Sequence, residues 1–215
     1  MRKTDKNSPI IHFFLLMDSN PPSYQFNLKN LPQASKIDVI ARAWLALKPI
    51  HKTKFAVILT AGFLKPGEYF TTVMIKDDPE TISPRDELAI AAYLREYLPV
   101  DMPFFENLPK NHINQPVVWC RHKSFAEFFQ RYKNNSCELF LLDEKGIPFT
   151  KYLSAKSTFD NNMCFFLGGR KDIPQKYLKK IKKAATESIS LGTKSYLASS
   201  CMLKVVYKVE KQFFS

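Results

Sequence analysis

The sequence predicts an α/β fold with a mostly parallel sheet flanked by helices, and three observations predict it. Continuous apolar runs such as "IIHFFLLM" and "CFFLGG" have the pattern of strands buried on both faces. Between them lie stretches whose apolar residues recur at helical spacing. The two kinds alternate along the chain, which favours helices packed on a sheet, the parallel part lying mainly in the C-terminal half. With 215 residues, 45% hydrophobic and 24% charged, the chain suits one domain with a sizeable core. No boundary, repeat or low-complexity tract divides it, so residues 1–215 read as a single domain.

Each element has a local reason. Ile10–Met17 is the first strand, followed by a Pro- and Asn-rich loop, "NPPSYQFNLKNLPQ". Ser35 can cap a helix over residues 36–47 that sets Ile37, Ile40, Ala41, Trp44 and Leu47 on one face. "KFAVILTAG" is the next strand and residues 69–76 another, with Gly67 at the turn between them. Ser83-Pro84 starts a helix to about residue 97, with serine at the cap and proline in the first turn. Residues 99–116, rich in Pro and Asn, form a long surface excursion. "PVVWC" is a short strand, residues 124–132 a helix, and "CELFLLDEKG" a strand ending in a turn. "CFFLGG" is again a buried strand. Pro174 opens a helix to about residue 186, "SISLG" ends a strand, and a last helix covers about residues 198–211.

The charge is informative. Thirty-two Lys and Arg against twenty Asp and Glu give +12, which favours a polyanionic partner such as nucleic acid, a solvated basic surface being the alternative. The four cysteines, Cys120, Cys137, Cys164 and Cys201, lie far apart and form no CxxC pair, so no metal site is expected. Reduced thiols in a cytoplasmic protein are the simplest reading. "MRK" before "IIHFFLLM" imitates a signal peptide, but the run is short, Asp18 closes it and no small-residue cleavage pattern follows. No apolar run approaches the ~20 residues of a membrane span.

Missing motifs remove whole classes of chemistry. Neither GxGxxG nor GxxxxGK[ST] occurs, nor HExxH, nor GxSxG, and His12, His51, His112 and His122 are scattered. "NPPSY" resembles the NPPY motif of amino-directed methyltransferases but has an extra serine and no Gly-rich companion, so it reads as a turn. Of six glycines, Gly146, Gly168, Gly169 and Gly192 fall where C-terminal strands end. Ligands of open α/β sheets bind beyond such ends, and glycine there lets backbone approach a ligand closely. That points to a ligand held mainly by backbone and apolar contacts.

"FFLGG" and "ISLGTKSYLASSCMLKVVYKV" resemble the C-terminal region of the SPOUT methyltransferases, and within them the TrmY family of tRNA pseudouridine methyltransferases. "FNLKNLPQASKIDVIARAW", "SPRDELAIAAYL" and "VVWCRHKSFAEFF" follow the same order, so the resemblance covers roughly residues 10–211. It implies an α/β-knot: a C-terminal deep trefoil knot, with the cofactor-binding region at roughly 138–211. It also implies S-adenosylmethionine, held around Leu142, around Gly168, and by Ser190, Leu191, Gly192 and Tyr196, with Leu197 and Cys201 behind. The implied reaction methylates N1 of a pseudouridine, in the T-loop of tRNA for archaeal members.

The last helix carries a stripe of Leu197, Cys201, Val205 and Val209, flanked by Met202 and Val206, and the resemblance implies that it packs in a homodimer. Asp38 and Arg42 lie one turn apart on a helix and could act together in proton removal, an ordinary surface pair being the alternative. Arg121 matches a family position and could stabilise the developing anion or hold phosphate. Asp86 and Glu87 are weaker candidates, because acidic residues in a first turn need only the helix dipole. Lys and Arg between positions 170 and 183 offer a phosphate-attracting helix, or equally a solvated one, because they spread around more than one side. Archaeal members typically carry Asp-His after the glycine at position 168, whereas this chain has Gly169-Arg170. The second reading is a non-catalytic RNA-binding protein that keeps the knotted fold.

Overall fold

The computed structural model describes residues 9–47, 55–64, 69–76, 86–108, 115–133, 137–158, 162–169, 173–192 and 196–214. The expectations at Gly67, Ser83-Pro84, Arg170 and Lys171 lie outside them. Seven strands form one sheet: β1 (Ile10–Met17), β2 (Ala56–Phe63), β3 (Phe70–Lys76), β4 (Val117–His122), β5 (Cys137–Pro148), β6 (Asn162–Gly168) and β7 (Glu187–Ser190). Their spatial order is β4-β3-β2-β1-β6-β5-β7. From β2 through β1, β6 and β5 to β7 every pairing is parallel, whereas β3 runs antiparallel to both β2 and β4. The expected mixture, parallel mainly towards the C-terminus, is what the chain adopts.

Helices cover both faces. On one lie α1 (Ile37–Leu47), α2 (Glu87–Glu96), α4 (Phe149–Ser154) and α6 (Ala198–Phe213), closing over Phe13, Leu15, Leu59, Phe63, Trp119, Phe140 and Phe165. On the other lie α3 (Phe125–Lys133) and α5 (Gln175–Ala184), over Phe14, Leu16, Leu139, Leu141 and Phe166. Alternate residues of β1 thus feed different cores, which is why "IIHFFLLM" shows no polar face. α1 packs between α2 and α6.

Four local expectations are corrected. Ser35 does not cap α1 from extended backbone: Ser35 and Lys36 both take positive φ, 58° and 62°, an uncommon conformation for non-glycine residues. The Ser19 hydroxyl donates to the Ser35 carbonyl, and the Lys36 ammonium to the Asp18 carbonyl at 3.0 Å, so side chains hold the turn. β5 does not end at "DEKG". It bulges over residues 143–146 and rejoins β7, since both Leu142 and Ile147 pair with Ile189. The core face of α6 is Ala198, Met202, Val205, Val206 and Val209, while Leu197 is 65% exposed, so the expected stripe loses its first member.

The fourth correction is chemical. Cys137 and Cys164 are not separate reduced thiols but a disulfide, with Cα atoms 6.4 Å apart. Cys137 pairs with Asn162 across β5 and β6, so Cys164 is its diagonal neighbour on one face of the sheet. Cys120 and Cys201 remain free thiols.

Candidate active site

Register brings the predicted cofactor residues to one level. In β6 and β5 Phe166 pairs with Leu141, and Leu142 pairs with Ile189 of β7. Gly168 and Ser190 therefore end the two strands that flank β5 at the same height, about 10 Å apart. Leu142 and Leu191 are half-buried and pack on the main core, leaving apolar surface beside these ends. Gly192 has φ +130°, a conformation that a side chain strains, and its N–H donates to the Ser190 hydroxyl at 3.2 Å. The Ser190 hydroxyl in turn donates to the Gly192 carbonyl, which closes a tight polar turn.

The rest of this wall is tethered to α6. Lys204 places its ammonium 3.4 Å from the centre of the Tyr196 ring. The Cys201 thiol, raised by burial, lies 3.9 Å from the Tyr196 carbonyl. Leu197 points outward and is free to meet a ligand or a partner. Residues 193–195 lie outside the described residues. These groups suit an adenosine: apolar flanks, small or strained residues at the strand ends, and main-chain groups for polar edges.

The proposed catalytic pair sits next door. Gly169 donates its N–H to the Leu16 carbonyl, and a Cβ built on it would meet Met17 and Val39. The first turn of α1, which holds Asp38, therefore backs directly on the end of β6. Arg42 binds Asp38 at 3.2 Å and Glu87 at 2.9 Å, so α1 and α2 are joined by one guanidinium between two carboxylates. Glu87 pushes the Arg42 guanidinium further up from its usual range. The Asp38 side chain is only 4% exposed and that of Arg42 40% exposed, so Arg42 is the member open to solvent. Asp86 accepts from the Ala89 N–H at 2.7 Å, an ordinary helix cap.

Arg121 stands apart from this pair. It lies in β4, in a row running through Thr71 and Phe63 to Met17, at the same end of the sheet as Gly168 but about 19 Å away across four strand spacings. Its guanidinium lies over the Tyr69 ring, 5.7 Å from the centroid. Beneath α3, His122 accepts or shares a proton with Thr72 at 3.0 Å, and His12 with Thr60 at 2.7 Å. Burial lowers His122 to about 4, helped by Arg131, and His12 to about 3, helped by Lys76. Both rings are neutral core groups. Of the basic helix, Lys182 binds Asp143 at 2.8 Å. Among the described residues no group of His, Cys, Asp and Glu could hold a metal, and no helix is long and apolar enough to cross a membrane.

The family described as "Putative SAM-dependent RNA methyltransferase" has a sequence model that matches residues 10–214, nearly the whole chain. The chain belongs to this family. Among curated proteins, a "Putative pseudouridine methyltransferase" of Vibrio vulnificus is 31% identical over 98 residues, covering 46% of each chain. A protein of the same description from Photobacterium profundum is 29% identical over 91 residues, 42% of this chain and 43% of that one. The likeness thus spans under half the length of these relatives. Among solved structures, Archaeoglobus fulgidus Nep1 bound to S-adenosylhomocysteine aligns over 94% of this chain and 97% of its own, with TM-score 0.59 and 14% identity. That likeness shows the fold: a seven-stranded α/β sheet covered by helices on both faces.

Sequence reasoning missed Glu87 as the second partner of Arg42, the strained Ser35-Lys36 turn, and the contact of Gly169 with α1. No residue type at 35–36 signals the turn, since positive φ is uncommon for serine and lysine.

Proposed function

We propose that the protein transfers a methyl group from S-adenosylmethionine to N1 of a pseudouridine in RNA. The observation that carries the reading is the convergence of Leu142, Gly168 and Ser190–Gly192 at one level of a parallel sheet, in a chain of this family. S-adenosylmethionine, when bound, supplies an electrophilic methyl on sulfonium. The chain's own work is positioning: Leu142 and Leu191 flank the adenine, Gly192 keeps the loop wall thin, and Tyr196 closes it against Lys204.

Asp38 lies in the turn of α1 that backs on the end of β6, beside which the acceptor nitrogen must sit, and Arg42 lies one turn further along. In this reading the exposed side of Arg42 stabilises the anion left as N1 loses its proton, and Asp38 holds Arg42 in place. Arg121 contacts the RNA. A knotted C-terminal region is part of the proposal, on the resemblance of residues 138–211 to the SPOUT methyltransferases. Leu203 and Tyr207, exposed on α6, and Leu197, exposed just before it, support a homodimer formed through that helix. Transfer RNA is the substrate proposed, acted on in the cytoplasm by a single-domain enzyme.

The test is incubation with labelled S-adenosylmethionine and host RNA, followed by nucleoside mass spectrometry. Methylated pseudouridine, absent when unmodified transcript is the substrate, is expected. Methylated uridine would move the target, and no incorporation at all would favour the non-catalytic RNA-binding reading.

A further inference from the structure

The segment preceding β4 does more than wander over the surface. The Arg121 N–H donates to the Pro103 carbonyl at 2.8 Å, and Phe104 bridges to Arg121 in parallel register, so residues 103–104 lie along the outer edge of β4. Leu108 and Phe105 pack on Val118, Cys120 and Met74 and anchor this strap. The strap covers the backbone edge of β4 that would otherwise be open. It also sets the Phe104 ring edge-to-face against Tyr69, with centroids 4.9 Å apart at 89°, beside the Arg121 guanidinium.

The charges around this group are unequal. Glu106 and Glu127 are engaged by Arg131, and Glu106 also by Lys123. Arg121 makes no ion pair among the described residues. Tyr69 is 38% exposed and Arg121 half-buried over its ring, so an amphipathic ring and a flat cation without an ion pair lie together at the surface. Unpaired bases of RNA are bound by stacking on aromatic rings and guanidinium planes, with phosphate drawn to the cation. The group lies at the end of the sheet that carries Gly168, within reach of one polynucleotide occupying both.

We propose that Tyr69, Phe104 and Arg121 form a stacking platform for an unpaired nucleotide of the RNA, apart from the nucleotide that is methylated. This rests on the reading of the protein as an RNA methyltransferase. The excursion before β4 then has a role, which is to hold Phe104 and Arg121 in register with Tyr69.

The experiment measures binding of fluorescein-labelled single-stranded oligouridine by anisotropy, over a range of salt, alongside calorimetric titration with S-adenosylmethionine. Tyr69→Leu keeps bulk but removes the flat ring, and is expected to weaken RNA binding roughly tenfold to a hundredfold. Tyr69→Phe retains the ring and binds like the wild type. Arg121→Ala weakens binding and lowers the salt slope by about one. Cofactor affinity is unchanged in all three, which also shows that they fold. Tyr69→Leu binding RNA as the wild type does overturns the platform, as does a Tyr69→Leu chain with altered oligomeric state and normal RNA affinity, which makes the patch a protein contact. A wild-type chain that binds cofactor but no RNA removes the RNA substrate and the platform together.

Discussion

A Cβ on Gly146 would lie 2.5 Å from the carbonyl oxygen of Ser188, so two backbones touch where no side chain fits. The contact locks the β5 bulge to β7, the strand that delivers Ser190 and Gly192 to the proposed cofactor wall. Gly146→Ala forces the strands apart and is expected to destabilise the chain by roughly 1–3 kcal/mol, as overpacking does. It should also weaken S-adenosylmethionine binding by more than a surface mutation of equal stability cost. Urea unfolding and calorimetry on the same sample check both. Wild-type stability would mean that the bulge is loose and the crossing is not a structural lock.

The bridge between Cys137 and Cys164 closes a loop with a sequence separation of 27. Loop-closure entropy for such a length is worth about 3.5 kcal/mol. Alkylation of the unfolded, unreduced protein should therefore label Cys120 and Cys201 alone, and a reductant should lower the melting temperature. Four labelled cysteines without reductant would show that the bridge does not form in solution.

Stability should fall in mild acid. Below about pH 6.5 the unfolded chain protonates His12 and His122, while the folded rings stay neutral down to about 3 and about 4 respectively. The unfolded state binds more protons through that window, so stability is full above pH 6.5 and declines as pH drops. At pH 4.5 the two rings together cost on the order of 5 kcal/mol. A pH series of melting temperatures measures this, and His122→Asn should flatten the curve. A melting temperature constant from pH 7 to 4.5 would contradict the burial of both rings.

Arg42 joins two helices and faces the proposed acceptor, so its loss should have two separable effects. Asp38→Ala is expected to cost about 1–2 kcal/mol, less than a fully buried pair because Arg42 keeps Glu87 and partial exposure. Arg42→Ala should lower the rate of methyl transfer well beyond the loss of folded protein, whereas Glu87→Gln should change stability by under ~1 kcal/mol. Equal activity of Arg42→Ala and wild type would leave the Asp38–Arg42 pair a purely structural tie.

What the sequence displayed follows from range. "IIHFFLLM" and "CFFLGG" are legible as central strands because burial on both faces suppresses alternation, and that property belongs to consecutive residues. Gly192 stood out because one glycine beyond a strand end is a local signal. Relations fixed by register were hidden: Cys137 meets Cys164 only as a diagonal across two strands, and Tyr69 meets Phe104 only because a strap is pinned to β4. The Ser35-Lys36 turn was hidden for another reason. Serine before a helix ordinarily marks a cap, and here tertiary hydrogen bonds from Ser19 and Lys36 hold the backbone elsewhere.

The central claim is that the β5 bulge beyond Leu142 and the ends of β6 and β7 hold S-adenosylmethionine. Calorimetric titration of the wild type and of Gly192→Val tests it most directly, because a β-branched residue at φ +130° cannot keep the Ser190–Gly192 turn. The account predicts saturable binding with a raised melting temperature for the wild type, and at least tenfold weaker binding for the variant, a difference of about 1.4 kcal/mol. No heat and no thermal shift for the wild type at millimolar cofactor would contradict it.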